Sequence, residues 1–102
     1  MALEIENNLV AALGYAGATD VIFAQFGIAS VAHPSPGVYT MTTLEALGDG
    51  EDVTTCVQED ATGGLINVVK IAPNQWTVRT YSNVGDLAER AWHVKIYRVA
   101  TG

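Results

Sequence analysis

Cations are scarce in this sequence, and they come late. Five Lys and Arg serve 102 residues, and none precedes Lys70. Recognition of a phosphate backbone rests on clustered Lys and Arg, so no nucleic-acid partner is expected. A single cysteine, Cys56, leaves no internal disulfide to form. Alternation allows Cys56 on either face of its strand, and a lone Cys is more often a small buried hydrophobe than a nucleophile. The only two histidines, His33 and His93, lie 60 residues apart. No His-x-His, Cys-x-x-Cys or His-Glu-x-x-His spacing exists, so no metal site is expected. There is no Gly-x-Ser-x-Gly elbow, P-loop or dinucleotide fingerprint, so no catalytic residue, no cofactor and no enzyme activity are expected. No apolar run reaches the roughly 18 residues that span a bilayer, so no membrane contact is expected. Met1 leads into "ALEIENN" without a basic segment, so no signal peptide is expected and folding is assigned to a cytoplasm.

Charge of either sign is sparse, at 16% of residues, while 49% are hydrophobic and mean hydropathy is +0.21. Average soluble domains carry roughly 25% charged residues. So few charges on a small body imply surface covered by self-association or by docking on a larger assembly. The charges are also unevenly placed. Residues 1–69 hold nine acids and no base, whereas residues 70–102 hold five bases against Asp86 and Glu89. Two arrangements follow: head-to-tail contact between acidic and basic surfaces of neighbouring copies, or mixing of the two halves within one fold. The acidic loop with Asp49, Glu51 and Asp52 offers oxygens a calcium ion uses, but it lacks a calcium-loop spacing and reads as a solvated turn. Tyr81 and Tyr97 read as packing or interface residues ahead of sugar-stacking ones.

Period-two alternation and turn punctuation organise the chain. Residues 21–27 read as an apolar strand, and residues 28–33 as its continuation, bent at Gly27. "PSPG" at 34–37 is strong turn punctuation, and "VYTMTTLE" at 38–45 is strand-like. Further strands are expected at 53–59, 65–72, 75–82 and 91–99. In the last two, Trp76, Val78, Trp92, Val94 and Ile96 are expected in the core, with His93, Lys95 and Tyr97 facing outward. This is one domain, an all-β antiparallel β-sandwich of six or seven strands over residues 21–102. Residues 1–20 are ambiguous. Asn8 caps a possible short helix, yet Gly14 and Gly17 break any long one. The segment is expected as an arm or short helix that anchors to a neighbour through Leu3, Ile5, Leu9, Val10 and Leu13.

"IASVAHPSPGVYTMTTL" resembles a recurring segment of tailed-phage virion proteins, with Ala29-Ser30-Val31, a short turn, then Gly37-Val38-Tyr39-Thr40. The ending is similar too: Val78 and Thr80, a loop, Ala88-Glu89-Arg90-Ala91-Trp92, then Val94, Ile96 and Tyr97. The likeness covers residues 28–102, and the acidic "LGDGEDVTTC" departs from it. It implies a virion structural protein, a capsid decoration (cement) or head-fibre component built in the host cytoplasm and acting by protein–protein contact. The implied partners are further copies, as a homotrimer, and the major capsid protein or other virion proteins. A chain with one domain after Met1 favours this stand-alone role. The alternative is a tail-fibre tip that recognises a host surface glycan or protein. Interface roles are expected for the Leu3-to-Leu13 anchors and for the outward row of His93, Lys95 and Tyr97.

Overall fold

The computed structural model describes residues 8–59 and 63–99, which form eight strands and no helix. In chain order they are β1 (Leu9–Ala16), β2 (Val21–Phe26), β3 (Ile28–Ser35), β4 (Val38–Thr43), β5 (Asp52–Glu59), β6 (Leu65–Ala72), β7 (Gln75–Tyr81) and β8 (Ala91–Arg98). They make two four-stranded antiparallel sheets, β2-β1-β8-β5 and β3-β4-β7-β6. The two sheets share one core, which makes the domain a β-sandwich.

Alternating residues of the four central strands supply that core. The first sheet contributes Ala11, Leu13 and Tyr15 from β1 and Trp92, Val94 and Ile96 from β8. The second sheet contributes Tyr39 and Met41 from β4 and Trp76 and Val78 from β7. Leu47 plugs one end, its N–H donating to Pro73 O at 2.9 Å. All five core residues expected from alternation, Trp76, Val78, Trp92, Val94 and Ile96, are buried there.

Three expectations need correction. Among the described residues there are eight strands and no helix. Residues 9–16, expected as an arm or helix, are β1, which sits between β2 and β8 in the middle of the first sheet. From Ala11 onward its inward side is apolar and its outward side is Ala12, Gly14 and Ala16, so small residues mask the alternation. Finally, residues 28–33 do not continue the preceding strand. At Gly27, with φ of 67°, the chain leaves the first sheet and enters the second. A left-handed backbone suits glycine, and a Cβ there would strike the Val10 carbonyl oxygen.

The acids of the first half meet the bases of the second within the fold. Lys70 Nζ reaches Asp52 Oδ1 at 2.8 Å and Gly48 O at 3.0 Å, bridging β5 to β6. Arg98 pairs with Glu45. Glu51 accepts the Gly48 N–H of its own loop. Asp52 and Glu51, two of the three acids considered as calcium ligands, thus have partners inside the domain. Cys56, which alternation allowed on either face, is exposed on the edge strand β5. Partial burial raises its thiol pKa, which disfavours the reactive thiolate.

Candidate functional site

One end of the sandwich gathers three separate segments around His33. The turn after β1 supplies Asp20, whose φ of 55° places it in the left-handed region. The end of β3 supplies His33, and the stretch before β8 supplies Glu89. The hydroxyl of Tyr15 donates to Asp20 Oδ1 at 2.6 Å, and His33 Nδ1 lies 2.5 Å from the same oxygen. On its other side His33 Nε2 lies 2.9 Å from Glu89 Oε1. That oxygen also accepts the Gly37 N–H and, at 3.5 Å, the Tyr39 hydroxyl. The imidazole stacks on Tyr39, with ring centres 4.4 Å apart, and meets Tyr15 edge-on at 6.2 Å. Both tyrosines contact Trp92 in turn.

Glycine is required at the centre of this end. Gly37 closes the β3–β4 turn with φ of 73°, and a Cβ on it would lie 2.8 Å from Ala88 N and 2.9 Å from Thr80 O. Thr80 N–H donates to Gly37 O at 2.9 Å, and Ala88 N–H to Thr80 O at 3.0 Å. The two stretches singled out in the sequence therefore meet: Gly37 and Tyr39 from one, Thr80, Ala88, Glu89 and Trp92 from the other.

The electrostatics follow from this geometry. Burial opposes charge on the His33 ring, but the hydrogen bonds and charges of Asp20 and Glu89 together outweigh it and raise the imidazole pKa. The Tyr15 hydroxyl, and after it His33, hold the Asp20 carboxyl below its ordinary value. Burial, and then the hydrogen bond to Asp20, make Tyr15 harder to ionise. Burial does the same to Tyr39. With a carboxylate at each nitrogen, the protonated imidazole donates on both sides, and the cluster ties three segments of the chain together. No group of three or more His, Cys, Asp or Glu among the described residues is arranged to hold a metal ion.

The outer face of the first sheet is the second candidate. Cross-strand register sets Phe26, Ala12, Lys95 and Thr55 in one row, and Tyr97 beside Leu9 and Val53 in another. Gly14, His93 and Val57 form a third row. The Phe23 ring lies across Gly14, where a Cβ would come within 2.6 Å of it, and packs on His93 at 4.9 Å. His93 Nε2 is 3.3 Å from Glu59 Oε2, an ion-pair distance without hydrogen-bond alignment. Thr55, Cys56, Val57, His93 and Lys95 line a shallow depression. Phe26, Val53 and Val57 are each more than half exposed.

Of the residues expected at an interface, His93, Lys95, Tyr97 and Leu9 share this outer face. Leu13 is 2% exposed and belongs to the chain's own core, which corrects its assignment, and Val10 is partly buried and packs against that core. Leu3 and Ile5 lie outside the described residues. The sequence reading missed Asp20, His33 and Glu89 as a group. Topology alone brings them together, and 56 residues separate His33 from Glu89. Comparison with protein-family models, curated proteins and solved structures returned no match.

Proposed function

We propose that this chain is a structural accessory protein of a tailed-phage virion, a decoration or head-fibre component that works by protein–protein contact. The outer face of the first sheet carries the reading. It displays Phe23, Phe26, Val53 and Val57 beside His93, Lys95 and Tyr97 on a rigid sheet, the mixture of apolar area and sparse polar groups that a protein partner covers. The resemblance over residues 28–102 supplies the setting, and the structure joins the segments that carry it around Gly37 and Glu89.

Gold-labelled antibody to the chain, applied to purified phage particles, tests the proposal together with copy number from quantitative mass spectrometry. Labelling over the head, at many copies per particle, is the expected result. A few copies confined to the tail tip would transfer the chain to the receptor-binding alternative. Absence from particles while the protein accumulates free in the lysate would sink both.

A further inference from the structure

Four strands lie at sheet edges, and three of them carry features that discourage pairing with another chain. Charge and proline blunt an edge strand. β5 carries Asp52 and Glu59, and β6 carries Lys70, whose bridge to Asp52 ties these two edges together. β3 holds Pro34 and two register shifts against β4. β2 reads Val-Ile-Phe-Ala-Gln-Phe, with no charge and no proline. Its one irregularity, opposite Gly14 and Tyr15, turns the Phe23 ring onto the outer face. Among the described residues β2 pairs with β1 alone, so its other side presents a row of backbone donors and acceptors to any further strand. All six of its residues are exposed, including Val21 at 51% and Phe26 at 55%.

The charge map selects the occupant. The chain carries a net charge of −6, so any two copies repel on approach. Residues 21–44 contain no Asp, Glu, Lys or Arg. Both edge strands in that run, β2 and β3, belong to it, and through Gly27 they are consecutive in the chain. Within β2 itself a second negative copy meets no carboxylate, and Asp20, which adjoins it, is engaged by Tyr15 and His33. A strand without charges is also its own complement, because antiparallel self-pairing brings no like charges into register. We propose that two copies of this chain join by antiparallel β2–β2 pairing, extending the first sheet into one eight-stranded sheet across a two-fold axis. The pairing goes beyond the virion proposal and holds whether or not that proposal does. It yields a dimer, because a symmetric edge contact closes after two copies, whereas the resemblance implies a trimer.

The contact is small, in the range of weak interfaces below about 1,200 Å², so it is measured by light scattering up to about 300 µM protein. The full chain is expected at twice its 10.8 kDa mass. Ile22→Lys with Gln25→Lys lowers the net negative charge, so general repulsion weakens. This variant is nevertheless expected as a monomer, because the lysines of two copies face each other across the axis. Val57→Lys with Val69→Lys places equal charge on the β5 and β6 edges and is expected to stay dimeric. Amide exchange covers the case of a lysine variant that fails to fold. In the unaltered chain, protection at Val21–Phe26 should rise at least tenfold between dilute and concentrated samples, with no change at Leu65–Ala72. A monomer at all concentrations, a trimer, a dimer that survives the β2 lysines or falls equally to the β5 and β6 lysines, or exchange at β2 independent of concentration would each overturn the proposal.

Discussion

Gly37 combines a left-handed backbone, with φ of 73°, with an approach to Ala88 and Thr80 that leaves no room for a side chain. Gly37→Ala is expected to lower stability by about 2–4 kcal/mol, adding backbone strain to displacement of neighbouring main chain; chemical denaturation measures it. His33 calls for a test in pH. Its folded pKa is raised above the unfolded value of about 6.5. Its contribution is therefore fully present below that value and disappears as pH climbs through the folded pKa. Asp20 has a lowered folded pKa, so its contribution is present above about pH 4 and disappears on acidification. The two together favour mildly acidic conditions. The melting-temperature gap between the parent and His33→Gln should be widest near pH 5–6 and shrink toward pH 9. A gap that widens with rising pH would contradict an imidazolium between Asp20 and Glu89.

At the scale of elements, β1 changes the meaning of a truncation. A chain lacking residues 9–16 loses Ala11, Leu13 and Tyr15 from the core and leaves β2 and β8 without the strand between them. It is expected to be unfolded by circular dichroism and to lose its cooperative melting transition. The later elements were legible in the sequence because large residues mark their inward side: Trp76 and Val78 in β7, and Trp92, Val94 and Ile96 in β8. β1 was not, because its Leu and Ala also suit a helix and because Gly14, which breaks the pattern, is there to seat the Phe23 ring. β2 and β3 were seen as extended, yet their assignment to different sheets depends on a crossing at Gly27 that no local pattern announces. The outward row of His93, Lys95 and Tyr97 followed from alternation. The Asp20–His33–Glu89 group did not, since its members carry no mutual spacing signal and meet only once both sheets have closed.

For the molecule as a whole, the uneven charge of the sequence resolves into pairs across the fold. Lys70 and Asp52 form an enclosed pair, with side chains 18% and 12% exposed. Lys70 also lies over the Trp76 ring, 5.6 Å from its centre. A double-mutant cycle with Lys70→Met and Asp52→Asn is expected to give a coupling energy of about 1–3 kcal/mol, with each single change worse than half the sum would suggest because it strands the other charge. Additive losses would show that the bridge does not fasten β5 to β6. The partnership of β1 with β8 has a mechanical consequence. These are the first and last of the described strands, they run antiparallel, and Leu9 faces Tyr97 at one end of their ladder while Ala16 faces Ala91 at the other. Tension applied through Asn8 and Val99 enters at one end and opens the ladder like a zipper, one hydrogen bond at a time. Tension applied through Asn8 and Ala91 loads every rung at once. Single-molecule pulling should find a clearly lower rupture force in the first geometry, so the domain would resist hauling on its two ends only weakly while holding firm against a load borne along its strands.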